Sequence, residues 1–230
     1  MLLTIVVTVF NEKDTVLEAI RQVETLEVDK EIIVVDNCST DGTRELLKTY
    51  RGQSVQMVLQ ERNFGYGQSI ITACDMARGE YLYVHNADLE YDPRHVHEMI
   101  EWASREGYDA VFGSRLAQSN KSSFQLIRER PYYLAAVIST WMINRFYHKS
   151  FTDIIGSKFY RTASLKKLYP ISDRSITFDF EVVSKLCKRG YRIKEIPVSY
   201  QPRSRREGKK INMFDSLPAL WALLKVRLFD

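Results

Sequence analysis

The sequence predicts an α/β domain, with a mostly parallel central sheet and helices on both of its faces. Two observations carry this expectation. β-Branched apolar runs recur along the first half of the chain, and a stretch of helical periodicity separates each run from the next. Leu2–Val9 is the first run and reads as a strand buried on both faces. Asp14–Leu26 follows, with Val16, Leu17, Ile20, Val23 and Leu26 on one helical stripe. A second buried strand is expected over Glu31–Val35, ending at Asp36, and a helix with cap-type residues at its start over Thr40–Tyr50. Val55–Leu59 is the third strand, before a glycine-containing turn and a helix over 67–78. Tyr81–Val84 is the fourth, Arg94–Arg105 a helix and Ala110–Gly113 the fifth strand. Residues 117–150 begin polar and become rich in aromatic and basic residues, which predicts a loop and then an amphipathic helix over the sheet. Residues 153–200 return to the domain and end in a strand over Arg192–Val198. A final helix is expected over 212–230, with Asp215 or Ser216 as its cap and Pro218 in its first turn. This gives one domain over 1–211 and an amphipathic helical tail over 212–230.

Composition narrows the class. At 230 residues, 45% hydrophobic and 27% charged, the chain reads as one large globular domain and not as a disordered one. Its formal charge of +4 is mild but uneven. Residues 201–210 (QPRSRREGKK) hold a basic cluster that is either a solvated face or a contact for an anion or an acidic membrane surface. No nucleic-acid partner is expected. Cys38, Cys74 and Cys187 are isolated, with no disulfide or zinc spacing, which points to a reducing compartment. The N-terminus leads directly into a strand, and no apolar run reaches the roughly 18 residues of a bilayer span. The expected location is cytoplasmic, with a peripheral place on the inner membrane face as a further reading.

In an open parallel sheet, ligands bind beyond the carboxyl ends of the strands. The notable polar residues fall there: Asn11 and Glu12, Asp36, Asn63 to Gly67, Asn86-Ala87-Asp88, and Arg115. The first such turn, FNEKDT, lacks the glycines of a dinucleotide fold, and no P-loop is present. A Mg²⁺ or Mn²⁺ ion on a diphosphate takes only one or two protein carboxylates. Asp88 is the direct candidate. Glu90 lies two residues on, and Asn86 offers a neutral carbonyl to the metal or a bond to a ribose. The plain alternative is a surface turn with incidental acids.

The motifs TVFNE, VVDNCSTDGT, RNFGYGQSI, HNADLEYDP, VFGSR and TDIIGSKFYR together resemble the family 2 glycosyltransferases of the GT-A (nucleotide-diphospho-sugar transferase) fold. Within them the chain is most similar to the soluble dolichol- and polyprenyl-phosphate hexose (mannose) synthases. The resemblance implies an inverting, metal-assisted transfer from a UDP- or GDP-hexose to a lipid phosphate. It places Glu12 and Asp36 on the base and ribose, with Val9, Asn11, Asn63, Gly67 and Ala87 in the same nucleotide-sugar pocket. Asn86, Asp88 and Glu90 match an Asp-x-Asp-x-Gln metal pattern. Arg115 matches an arginine at the acceptor phosphate, with Arg128 or Arg130 as a second. Arg203, Lys209 and Lys210 match a basic segment that closes over the diphosphate. Asp88 and Arg115 are thereby the catalytic candidates. Three departures stand out: Val9-Phe10 where the family has a proline, Asp36-Asn37 for a double aspartate, and Asn86 for the first metal aspartate. The last two remove negative charge, which bears on metal affinity before it bears on fold.

A phosphate monoester is mostly dianionic near pH 7 and needs no general base, whereas a saccharide hydroxyl does. Asp179 and Glu181 are the candidates for that second role, unless they only place charge at a helix start. None of His85, His95, His97 and His148 is given a metal role. A third reading is a weakly active nucleotide-binding subunit docked on a membrane partner. Arg128 and Arg130 precede Tyr132, Tyr133, Leu134, Val137, Ile138 and Trp141, a cation beside an apolar surface that suits a lipid phosphate. In the tail, Leu217, Leu220, Trp221, Leu224 and Leu228 share one helical face, which either packs on a core or a second subunit or lies in a membrane interface. A homo-oligomer is left open.

Overall fold

The computed structural model describes residues 2–52, 54–117, 128, 133–172, 174–175, 177–203 and 216–229. Arg130, Lys209, Lys210 and Asp215 lie outside the described residues. The strands are β1 (Leu3–Val9), β2 (Lys30–Asp36), β3 (Val55–Leu59), β4 (Tyr81–Asn86), β5 (Ala110–Ser114), β6 (Ser157–Arg161) and β7 (Ile193–Pro197). The helices are α1 (Val16–Glu24), α2 (Thr43–Thr49), α3 (Tyr66–Met76), α4 (Val96–Glu106), α5 (Tyr133–Tyr147), α6 (Thr162–Lys166), α7 (Phe178–Lys188) and α8 (Ser216–Phe229). The strands form one sheet in the order β3-β2-β1-β4-β6-β5-β7. β1 to β4 pair in parallel, and β7 runs parallel to β5. Only β6, between β4 and β5, runs antiparallel to its neighbours.

All seven residues of β1 are buried, because helices cover both sides of the sheet. Val16, Ile20 and Val23 of α1 and Val96 and Met99 of α4 fill one side. Ile70 and Cys74 of α3, Val182 and Leu186 of α7, and Leu223 of α8 fill the other. The parallel register pairs Val9 with Asp36 and Thr8 with Asn86, so the loops after β1, β2 and β4 leave the sheet at one level.

β6 has no counterpart in the sequence reading. Its run Ser-Lys-Phe-Tyr-Arg lacks an apolar pattern, yet its first four residues are buried. The Lys158 ammonium lies 5.0 Å from the centre of the Phe112 ring and donates to the Gly156 carbonyl, and the side chain is only 1% exposed. The turn into β6 passes so close to β5 that a Cβ on Gly156 would fall 1.7 Å from the Gly113 carbonyl oxygen. Only glycine fits there.

The terminal helix turns part of its sequence-derived stripe outward. Ala222, Leu223 and Val226 are buried, while Trp221 is 59% and Leu228 66% exposed, with Leu220 and Leu224 half-buried between them. The Leu217 side chain lies outside the described residues. α8 is therefore apolar on two opposite sides, one of them docked on α5 and α7. Leu223→Ala should cost about 2–5 kcal/mol of unfolding free energy in chemical denaturation. Trp221→Ala should change it by no more than about 0.5 kcal/mol. The reverse order would detach this helix from the core.

Candidate active site

A cavity of about 520 Å³ opens at the carboxyl ends of β1 and β4. Val9, Glu12, Asn63, Ala87, Asp88, Glu90 and Arg203 line it, and so does Arg115. Asn11, Asp36 and Gly67 do not line it. Asn11 takes a left-handed backbone (φ 53°) and ties two loops: its N–H donates to Ser39 Oγ (2.8 Å) and its Oδ1 accepts from the Thr40 N–H (2.7 Å). Asp36 is fully buried, accepts the Ser39 N–H at both oxygens and sits 3.6 Å from Arg44. Gly67 lies under Phe178, where an added Cβ would come within 2.6 Å of the Phe178 Cβ. Asn37 is a bracket: its amide nitrogen donates to Asn63 Oδ1 (2.8 Å) and its oxygen accepts the Phe64 N–H (2.9 Å). A second aspartate could not donate to Asn63, so here the lost charge gains a structural bond.

The three metal candidates have different tasks. Asn86 Oδ1 accepts from the Thr8 hydroxyl (2.8 Å). Glu90 holds the chain beyond β7: one oxygen accepts from the Tyr200 hydroxyl (2.8 Å), the other from the Arg203 N–H (2.9 Å), and its carbonyl accepts the Gln201 N–H (2.9 Å). Asp88 accepts the Glu90 N–H through Oδ1 (3.1 Å), and its Oδ2 is 3.9 Å from Arg203. Arg203 itself makes a bidentate pair with Glu12, at 2.7 and 3.0 Å. Burial, and then the charge of Glu90, push Asp88 up to about 6, the behaviour of a carboxylate short of cation charge. No cluster of three metal-ligating His, Cys, Asp or Glu side chains occurs among the described residues. That donor set fits a divalent ion shared with a diphosphate, where one protein carboxylate suffices, and Asp88 is the group that would hold it.

Arg115 is a largely enclosed cation of the cavity wall, its side chain 10% exposed. Its Nε and Nη2 donate to Asp153 at 2.6 and 2.9 Å, and its guanidinium lies 5.4 Å from the Tyr133 ring centre and 5.3 Å from that of Tyr200. Burial pushes Asp153 up, but the pairing with Arg115 and the bonds around it outweigh this and hold it below the usual carboxylate range. Arg128 is helical and exposed. The sequence named Arg115 without its partners, because Asp153, Tyr133 and Tyr200 meet it only in the fold. Below the floor, Tyr83 Oη is 3.1 Å from His95 Nε2, which is also 3.0 Å from Ser157 Oγ. Burial lowers His95 to about 4, so the ring is neutral at pH 7.

The two acids at the start of α7 part ways. Glu181 accepts from the Ser172 N–H (3.0 Å) and hydroxyl (3.0 Å) and pairs with Lys185 at 2.9 Å. Asp179 is buried beside the cavity and forms no hydrogen bond among the described residues; its Oδ1 is fully covered. Charge at a helix N-terminus returns about 0.3–1 kcal/mol, less than the several kcal/mol that an unbonded buried carboxylate costs. Helix charge alone does not account for Asp179.

Removing one partner of a buried pair strands the other. Asp153→Asn should therefore cost about 3–5 kcal/mol of stability near neutral pH. Because the folded-state pKa of Asp153 is depressed, its contribution is present above the ordinary value of about 3.9 and is lost as pH falls through the folded value. The gap between wild type and variant should thus narrow in acid titrations below about pH 3.9. A gap independent of pH would contradict the ion-pair assignment.

The model of glycosyl transferase family 2 matches residues 4–169. The undecaprenyl-phosphate 4-deoxy-4-formamido-L-arabinose transferase of Pseudomonas aeruginosa is 32% identical over 146 residues, covering 60% of this chain and 42% of that protein. The chain thus spans less than half the length of the curated relatives it matches. Among solved structures, glucosyl-3-phosphoglycerate synthase from Mycobacterium tuberculosis, in complex with Mn²⁺, UDP and phosphoglyceric acid, has a TM-score of 0.70 at 16% identity. That match covers 99% of this chain and 79% of the other. TarS from S. aureus with UDP-GlcNAc has a TM-score of 0.63 at 17% identity, covering 98% and 66%. These two likenesses show the fold, and the family match spans both the cavity-lining loops after β1 and β4 and the strand β6 that the apolar pattern concealed. The chain belongs to glycosyl transferase family 2 and has the GT-A fold.

Proposed function

We propose that this chain transfers a hexose from a UDP- or GDP-sugar to a polyprenyl phosphate, with inversion and with Mg²⁺ or Mn²⁺. One observation carries the reading: Asp88 and the enclosed guanidinium of Arg115 line the same cavity. A transfer between two phosphate-bearing substrates must hold two anions together, and this cavity has an acid suited to a metal-bound diphosphate and a separate, permanently charged arginine. Support also comes from the relative named for undecaprenyl phosphate and from the neighbour that binds UDP and Mn²⁺.

A divalent cation held at Asp88 would neutralise charge on the diphosphate as it leaves. Arg203 lies beside Asp88 and is kept in place by Glu12, so it adds fixed positive charge at the same end. Arg115 donates two bonds to Asp153, and Nη1 makes none among the described residues, which leaves it to bind an acceptor phosphate. The phosphate oxygen forms the new bond to the anomeric carbon. The bond to the diphosphate breaks with its electron pair on the leaving group, and no proton need be removed. A saccharide hydroxyl as acceptor is the second reading, favoured by the unbonded Asp179, since that chemistry needs a base.

The apolar residues left outside suit a lipid-borne acceptor. Trp141, Trp221, Leu228 and Phe229 are 59–75% exposed, on α5 and α8, with Lys225 and Arg227 also exposed. No described helix is long and apolar enough to cross a membrane, and this exposed face suits an interfacial contact. Deleting α8 would also remove buried Leu223, so substitution of its outer face is the cleaner test. Trp221→Glu with Leu228→Glu should cut sedimentation with anionic vesicles at least about tenfold and leave the unfolding midpoint within a few degrees. Unchanged sedimentation would remove the membrane from the reading.

For the reaction, a polyprenyl phosphate should accept hexose from the donor and the matching alcohol should not. Asp88→Ala should lower turnover by about 100-fold or more, the scale of losing an electrostatic clamp on a leaving group. Arg115→Ala should reduce transfer far more than nucleotide-sugar binding. Equal transfer to alcohol and phosphate promotes the saccharide-hydroxyl reading. No transfer and no donor hydrolysis with metal present would leave a nucleotide-binding subunit.

A further inference from the structure

The inner part of the cavity holds two charged side chains that the transfer step above does not use. Lys158 of β6 is 1% exposed and Asp179 of α7 is 8% exposed, and both line the cavity. Each supplies the leading charge effect on the other's ionisation, after burial. Yet among the described residues no direct ion pair joins them. Lys158 donates to the Gly156 carbonyl, which leaves two of its three N–H groups, and Asp179 keeps an oxygen with no donor.

We propose that Asp179 and Lys158 form a subsite that reads one hydroxyl of the donor hexose. A hydroxyl both donates and accepts, so a single group can donate to the carboxylate and accept from the ammonium across a gap that the two do not close themselves. Three features favour a ligand over a structural role. Glu181, two residues along the same helix, shows how this fold satisfies a buried acid: three bonds and a lysine. Asp179 has no such set. The carboxylate shares its cavity with Asp88 and Arg115, the groups assigned to the transfer step. Lastly, the subsite is rigid: Lys158 is held in the sheet between Val84 and Phe112 of the neighbouring strands. A buried polar pair that bonds a substrate hydroxyl rejects an analogue lacking it, since the pair is then left unpaired.

This inference rests on the proposed nucleotide-sugar donor, and the test separates the two. Binding of UDP-glucose, UDP-GlcNAc and GDP-mannose, and of free UDP and GDP, is measured calorimetrically with Mn²⁺ for the full chain, Asp179→Asn and Lys158→Met. A charge-assisted bond corresponds to about 10- to 100-fold in affinity. The expected result is a loss of that size for the preferred sugar nucleotide in both variants, with free-nucleotide affinity changed less than about twofold. Among monodeoxy forms of that donor, one should bind the wild type weakly and lose nothing further in Asp179→Asn. Free nucleotide and sugar nucleotide weakened alike, or neither weakened, overturns the subsite. The same follows if every sugar nucleotide binds no better than its free nucleotide, or if every deoxy form stays additive with the variant. Intact donor binding with transfer to a hydroxyl acceptor abolished in Asp179→Asn makes the residue a base and also overturns the subsite. If neither nucleotides nor sugar nucleotides bind, it is the donor reading that fails. Asp179→Asn keeps the side-chain shape, so a folded variant is available should Lys158→Met not fold.

Discussion

The buried pair of Arg115 and Asp153 is the contact on which the proposed acceptor side of this domain depends. It joins the end of β5 to the loop before β6, and Glu195 of β7 fastens that loop by accepting the Thr152 and Asp153 N–H groups at 2.8–3.0 Å. Two charges taken out of water are costly, and only good geometry with further bonds offsets this. Here the pair is bidentate, Asp153 also accepts the N–H groups of Arg115 and Ile155, and two tyrosine rings flank the guanidinium. The outcome is a cation fixed at the cavity wall, with its plane set by carboxylate and rings before any ligand arrives.

The proposed donor side is organised by a different arrangement, a segment recruited from the far end of the chain. Tyr200, Gln201 and Arg203 return over the acids of the β4 loop because Glu90 bonds all three. Arg203 then reaches Glu12, 191 positions away in sequence. The charge of Glu12 and Glu90 holds a guanidinium, and Asp88 is left as the carboxylate whose ionisation is resisted by burial and by Glu90. With an amide at position 86, the acid character of this loop rests on Asp88 and its surroundings.

The sequence by itself determined most of the sheet, the side of the sheet that carries the site, and several of the residues there. Buried parallel strands need continuous β-branched runs, and binding residues at strand ends stand out against them; both signals are local. Thus β1 to β5 and β7, and Glu12, Asn63, Asp88, Glu90, Arg115 and Arg203 around the cavity, were legible from the chain alone. The tertiary structure decided what those residues do to one another. Glu90 latches the chain beyond β7, Asn37 brackets two loops, and the apolar stripe of α8 divides, with Leu220 and Leu224 against the core and Trp221 and Leu228 exposed. β6 was hidden because a lysine in a strand reads as solvent-facing, whereas here the Phe112 ring of the paired strand β5, the Gly156 carbonyl and the charge of Asp179 offset its burial. Periodicity reports the environment of a residue averaged over its neighbours in sequence, whereas a buried ion, a bidentate pair or an unbonded carboxylate is fixed by partners tens to hundreds of residues away.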